Sequence, residues 1–338
     1  MAKDFDMEQE KTAPSIISII EEYLEIVKLT RSQNTALTYG KALKEFKKLL
    51  VNAKIDPETS PASALTEDLI SRFVMHLNSF APATEQLYIR AIVGFYKYLA
   101  AERLTEINLP HMDLLIKQRA RKPGIRLPQF PTNEIERVLK FVSDAGFPDT
   151  QSENERLRTL RDRAFLLTLA DTGLRVHEAC NLRRGDLDWN EGSAVFTGND
   201  DKLAVVRFTT RAMRALNDYL SLRAELDGGS GKQLTALPLF ARHDKGTGKK
   251  IKPITPTTGR NIVAERVGQA LGNEAEGHIT PHSFRHYFVS TILRASGNLK
   301  LAQALARHEN IQITQRYAHL DDDELDKGYY EIFERNMK

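Results

Sequence analysis

The sequence predicts a mainly α-helical protein in two parts, a four-helix amino-terminal unit and a mostly helical second domain with a small antiparallel β-sheet. Three observations predict it. Apolar residues recur at helical spacing through most of the chain, β-rich runs are confined to one short stretch, and a basic segment followed by prolines divides the two halves. At 338 residues the chain has room for two hydrophobic cores. Its apolar fraction of 41% and charged fraction of 28% fit a folded protein rather than a disordered one.

In the first half, Ile16, Ile20, Tyr23, Leu24 and Val27 form one inward stripe, and Tyr39, Leu43, Phe46 and Leu50 a second. Thr66, followed by Glu67 and Asp68, reads as the start of a third helix carrying Ile70, Phe73 and Leu77. A fourth begins at the Ala81-Pro82-Ala83-Thr84 turn and runs through Ile92, Phe95 and Leu99, which makes residues 14–110 one unit. Residues 111–127 read as a basic linker: from Lys117 to Arg126 the run KQRARKPGIR holds Lys117, Arg119, Arg121, Lys122 and Arg126 and no acid. The second domain spans 128–338. Pro128 and Pro131 punctuate its start, and Thr132 caps a helix with Ile135, Val138 and Leu139 on its inner face. Runs 194–197 and 203–208, separated by Gly198-Asn199-Asp200-Asp201, read as a hairpin. Helices are expected at roughly 210–226, 256–271, 281–296, 299–307, 311–319 and 328–336.

Cys180 is the only cysteine, so the chain can form no internal disulfide and no cysteine-based zinc site. No stretch approaches the roughly 18 apolar residues of a membrane helix, and the start MAKDFDMEQEK has no apolar core. No membrane association is expected, and the cytoplasm or nucleoid is the expected location. A net charge of +3 identifies no partner by itself; where the charges lie is more informative.

Three patches carry candidate chemistry. The first is Asp171-Thr172-Gly173-Leu174-Arg175-Val176-His177-Glu178, in which a Thr-Gly turn ends one helix and Arg175 opens the next. An arginine partly buried beside such a turn needs an anionic partner. The second is Thr280-Pro281-His282-Ser283-Phe284-Arg285-His286. Thr280 and Pro281 suit the cap and first position of a helix, which puts His282 in a first turn that favours anions, with Arg285 on the same face. An arginine fork beside an imidazole makes a phosphate clamp. The third is Ala306-Arg307-His308, followed nine residues on by Tyr317 in HENIQITQRYAH. A tyrosine hydroxyl acts as a nucleophile only where its proton is removed and its charge is met by cations.

T-G-L-R-x-x-E, then H-x-x-R-H, then a histidine followed nine residues later by Y-x-H, resemble the tyrosine recombinase or phage integrase family. The motifs cover roughly residues 128–320, and the helical amino-terminal unit is similar to the family's core-binding domain. The resemblance implies a site-specific DNA recombinase that cleaves and rejoins strands through a 3′-phosphotyrosine and a Holliday junction. No metal and no nucleotide cofactor would be needed. It implies that Arg175 and Arg285 hold the scissile phosphate with His282 and His308, that Tyr317 is the nucleophile, and that Glu178 holds Arg175 from behind. His286 is read as an orienting group or a satisfied buried histidine, and His319 as equally structural or functional. The family places a general-acid lysine directly after the hairpin's first glycine, where this chain has Asn199. Lys202, the nearest lysine, is nominated to protonate the leaving 5′-oxygen, with DNA contact as its other role.

The same resemblance points Arg31, Ser32, Asn34, Thr35, Tyr39, Lys41, Lys44, Thr84, Arg90 and Lys97, with Arg119 of the linker, at DNA phosphates, the linker closing a clamp around double-stranded DNA. Without it, these residues read as a solvated face. The apolar carboxy-terminal group Tyr329, Tyr330, Ile332 and Phe333 resembles a helix that docks into a neighbouring protomer, implying a homotetramer on paired sites. A separate arm-binding domain is not expected. His282 and His286 have the spacing of a helical zinc pair, but Ser283 stands where HExxH has its glutamate, so no metal is expected. Two other readings stay open, a non-catalytic DNA-binding protein on the same fold and a type IB topoisomerase.

Overall fold

The computed structural model describes residues 14–121, 131–144, 152–198, 203–244 and 250–308, with residues 311 and 314. The chain divides between Arg126 and Leu127 into two compact units. In the first, α1 (Ile16–Thr30), α2 (Gln33–Asn52), α3 (Glu67–His76) and α4 (Pro82–Ala101) are the four expected helices. Ser15 and Ser32 cap α1 and α2 by accepting from Ser18 N–H and Thr35 N–H, and Pro82 occupies the first position of α4 after the Ala81 cap. The stripes read from periodicity meet in one core, where Phe46, Phe73, Phe95 and Tyr96 are fully buried and the Phe46 and Phe73 rings meet edge to face at 5.3 Å. Thr66 precedes α3 as expected, but its side chain makes no capping bond. The Glu67 carboxylate instead accepts the Asn108 N–H at 2.5 Å.

The structure corrects the expected linker. Leu109–Arg119 is a helix, α5, capped by Asn108, and it sends Met112 fully into the amino-terminal core. Arg121 is also taken up structurally. Its Nε bonds the fully buried Glu85 carboxylate at 2.5 Å, its backbone N–H bonds the same group at 3.0 Å, and its guanidinium reaches the Phe80 carbonyl at 2.6 Å. A single basic residue with a buried partner 36 positions away reads as linker charge in sequence. Lys122 and Arg126 lie outside the described residues.

The second unit is built around α7 (Glu153–Thr172), which starts at a Ser152/Glu155 capping box and is buried on nearly every side from Leu157 onward. Around it stand α6 (Thr132–Asp144), α8 (Val176–Asn181), α9 (Thr210–Leu222), α10 (Ala224–Gly228), α11 (Pro256–Leu271), α12 (Pro281–Ser296) and α13 (Leu299–Ala306). Thr132 is the first helical residue rather than the cap, a shift of one position. The helix expected over 210–226 breaks at Arg223. That side chain is fully buried, bonded to Asp227, Tyr219 Oη and the carbonyls of Pro238 and Leu239, a network with no periodic signature. The expected hairpin is β2 (Ser193–Thr197) paired antiparallel with β3 (Leu203–Arg207), Val195 opposite Val205. The two-residue β1 (Leu187–Asp188) adds a third strand in the order β1-β2-β3. The helices expected over 311–319 and 328–336 lie outside the described residues, apart from positions 311 and 314. Among the described residues, no helix is long and apolar enough to cross a membrane.

Candidate active site

The first patch is shaped by the end of α7. Thr172 donates to the Thr168 carbonyl at 2.6 Å and accepts from Leu174 N–H at 3.2 Å, and Gly173 turns the chain at φ 60°. A side chain at Gly173 would meet the Phe288 ring of α12, so the turn needs glycine twice over. Arg175 follows as the residue capping α8. Its backbone N–H donates to Glu178 Oε2 at 2.8 Å and its Nη1 to Oε1 at 2.9 Å. Glu178 thus holds Arg175 from behind while the guanidinium stays partly open to solvent, its side chain 36% exposed. Burial alone would push the Glu178 carboxyl up. The bonds from Arg175 and the charges of Arg307 and Arg175 outweigh it and hold the group below its usual range.

The second patch is α12. Thr280 donates its N–H to Ser283 Oγ at 3.1 Å, the buried Pro281 opens the helix, and His282 follows in its first turn with its ring only partly open to solvent. Arg285 points inward and is only 2% exposed. Its Nη1 donates to the Gly173 carbonyl at 2.5 Å and its Nη2 to the Ala306 carbonyl. One guanidinium therefore joins the turn of the first patch to the end of α13 in the third. The three separated motifs meet at Arg285.

In the third patch His308 is buried, its Nδ1 paired with Thr314 Oγ1 at 2.8 Å and its backbone N–H bonded to Gln303 O at 3.1 Å. The His282 and His286 rings pack edge to face with centroids 4.2 Å apart. Burial, then the charges of Arg285 and Arg175, push the His282 imidazole below its usual value. Burial and the neighbouring charges bring His286 and His308 down to about 4. At neutral pH the cations of the site are therefore arginines, and the imidazoles are neutral groups able to donate or to accept a proton. Lys202, Tyr317 and His319 lie outside the described residues.

Two participants were not read from the sequence. Thr314 orients His308, and no local signal marks it. Arg307, between two motif residues, places its Nη2 3.3 Å from Glu178 Oε2 and its guanidinium carbon 5.4 Å from the centre of the Phe196 ring on β2. Its φ of 55° ends α13 in a conformation that favours glycine, which composition does not reveal.

The expected DNA-contact residues do not form one group. Tyr39 of α2 lies against Tyr23, ring centroids 6.4 Å apart, and beside Gly94 of α4, whose neighbours on the helix are Arg90 and Lys97. Thr35 shares the Tyr39 side of α2, and Arg31 caps the end of α1. At about 100° per residue, Lys41 and Lys44 lie on nearly the opposite side of α2 from Thr35 and Tyr39. Ser32 and Asn34 are exposed around the α2 cap, Thr84 is half-buried early in α4, and Arg119 is exposed at the end of α5.

Residues 130–324 match the phage integrase family, and residues 20–103 match the phage integrase N-terminal SAM-like domain. Tyrosine recombinase XerC of Bacillus pumilus is 29% identical over 323 residues, covering 96% of this chain and 97% of the relative. XerC of Bacillus subtilis is 27% identical over 325 residues, covering 96% and 98%. Among solved structures, the Tn1549 transposon integrase in complex with transposon right-end DNA aligns with a TM-score of 0.65 at 17% identity, covering 93% of this chain and 99% of that one. The XerH site-specific recombinase bound to difH substrate aligns with a TM-score of 0.63 at 19% identity, covering 94% and 85%. At such identities the structural likeness speaks for the fold alone. The family match spans more than half of the chain and contains Arg175, Arg285 and His308, so the chain belongs to the phage integrase family of tyrosine recombinases.

Proposed function

We propose that this chain cleaves and rejoins double-stranded DNA at paired sites through a covalent 3′-phosphotyrosine on Tyr317 and a Holliday junction, working as a homotetramer in the cytoplasm. The observation that carries the reading is the junction at Arg285, whose fork brings the three motifs into one cationic pocket beside Arg175. Attack of the Tyr317 oxygen on phosphorus forms a P–O bond and breaks the bond to the 5′-oxygen. The negative charge that builds on the non-bridging oxygens is met by the two guanidiniums. A neutral imidazole of the site accepts the tyrosine proton, and Lys202 delivers one to the leaving 5′-oxygen. Phe196 lies under Arg307 two residues before Gly198, which puts the base of the hairpin at the pocket and supports that role for Lys202. The phosphotyrosine ester replaces the broken one, and attack by a 5′-hydroxyl re-forms the DNA phosphodiester and frees the tyrosine, so religation draws on no nucleotide, and the two guanidiniums meet the charge that a metal would otherwise meet. Arg31, Thr35, Tyr39, Arg90, Lys97 and Arg119 hold the DNA backbone. XerC relatives of similar length and the DNA-bound folds of XerH and the Tn1549 integrase support the same substrate class.

The test uses sheared, randomly nicked DNA from the genome that encodes the chain, incubated with full-length protein in EDTA and quenched in detergent. Covalent adducts should form at a recurring sequence with wild type and disappear with Tyr317→Phe. No adduct on any fragment, or an adduct with Tyr317→Phe, overturns the reading. Relaxation of a supercoiled plasmid that lacks the recovered sequence would favour the topoisomerase alternative.

A further inference from the structure

Glu178 serves two arginines. Its Oε1 accepts Arg175 Nη1 at 2.9 Å, while Oε2 accepts both the Arg175 backbone N–H at 2.8 Å and Arg307 Nη2 at 3.3 Å. The carboxylate itself is 4% exposed. Arg307 reaches it from the end of α13, with its guanidinium over Phe196. Three features make this arrangement more than an incidental ion pair. First, the Arg307 backbone sits at φ 55° and ψ 47°, where L side chains other than asparagine are disfavoured, although a glycine would end α13 without strain. Second, Arg307 Nη1 is buried and has no hydrogen-bond partner among the described residues. Third, Glu178 alone would neutralise much of the Arg175 charge that has to face the phosphate. A second guanidinium on the same carboxylate shares that neutralisation and leaves Arg175 cationic toward solvent.

We propose that Arg307 is a positioning residue for Arg175, acting through the shared Glu178 carboxylate to hold the Arg175 fork in place and preserve its positive potential toward the scissile phosphate. The proposal rests on the DNA-cleaving function proposed above. Arg307 does not touch the phosphate in this scheme. Loss of its charge lets Glu178 draw in the Arg175 guanidinium, and the transition state loses a preorganised donor while ground-state DNA binding, spread over many contacts, is little changed.

The probe is a nicked duplex carrying the sequence recovered in the adduct experiment, with single-turnover cleavage and equilibrium binding measured on full-length protein. Arg307→Gln should slow cleavage about 10- to 100-fold, the worth of one charge-assisted hydrogen bond, with binding within about twofold. Arg307→Lys, which keeps the charge, should recover most of the rate. Arg307→Gly relieves the backbone, so it should keep the thermal midpoint of wild type yet cleave as slowly as Arg307→Gln, which a merely structural role does not produce. In a Glu178→Gln background, Arg307→Gln should add less than about a threefold loss, because the path of the effect is already cut. Wild-type cleavage rates in Arg307→Gln overturn the proposal. So do full additivity with Glu178→Gln and a binding defect as large as the cleavage defect, the last being the mark of a direct phosphate contact. Failure of wild type itself to cleave would count against the proposed function, and the two failures are thereby distinguished.

Discussion

Gly173 is the sharpest test of how the pocket is held, because the structure supplies its own control. Gly173 and Gly297 both end helices in the left-handed region, at φ 60° and 61°. A Cβ at Gly297 would meet nothing within 4 Å, whereas at Gly173 it would lie 2.9 Å from Cε1 and Cγ of Phe288 and closer still to Cδ1. Gly297→Ala should therefore lose only the backbone preference, about 1–2 kcal/mol. Gly173→Ala should lose that and also displace a ring, a further ~1–3 kcal/mol. At roughly 2–4 °C per kcal/mol for a unit of this size, the thermal midpoint of Gly173→Ala should fall clearly below that of Gly297→Ala. Differential scanning calorimetry measures both, and Phe288→Leu added to Gly173→Ala should restore part of the difference. The Gly173 carbonyl is also a partner of Arg285, so the same substitution should slow DNA cleavage while Gly297→Ala leaves it alone. Equal melting shifts for the two alanines would refute the argument that Phe288 seals this turn.

Two further expectations concern charge. Arg121→Ala strands the buried Glu85 carboxylate, and with Arg121 itself 37% exposed the loss should be about 1–3 kcal/mol. Arg72→Ala, which breaks an exposed pair with Asp68, should change the unfolding free energy from urea melts by no more than about 1 kcal/mol, and similar losses for the two would contradict the burial argument. His286 and His308 are brought down to about 4, and burial brings His243 down to about 3, from 6.5. As pH falls below 6.5 the unfolded chain takes up protons that these folded imidazoles refuse, so stability should decline toward pH 4. Urea midpoints across that range should show it, with a shallower slope for a His286→Gln/His308→Gln double variant, and an unchanged slope would remove these two residues from the account.

Much of this protein is legible along the chain because its helices obey local rules. Pro82 and Pro281 mark helix starts by φ preference, and the inward stripes match the buried sets of α1 to α4. What stayed illegible depends on partners distant in sequence. Arg121 reads as linker charge until Glu85 is found beside it, and Arg223 breaks a periodic helix for carbonyls 15 and 16 residues away. Lys41 and Lys44 join Thr35 and Tyr39 in sequence, yet the turn of α2 carries the two pairs to opposite sides.

The sequence by itself determined the fold class, the family and the three motifs, because capping, periodicity and motif spacing are properties of neighbouring residues. Only the tertiary structure decided how those motifs combine. Arg285 looks in sequence like a group aimed wholly at a phosphate, and it proves to be the internal brace on the Gly173 and Ala306 carbonyls as well. The sequence gives the histidines only the ordinary imidazole value, and burial among arginines lowers it to about 4 for His286 and His308. Arg307 looks like a spacer between Ala306 and His308, and its fold partner Glu178, 129 residues away, makes it part of the pocket. The physical reason is common to all three. Hydrogen bonds, desolvation and Coulomb interactions act over a few ångströms in space, and only the folded chain sets those distances.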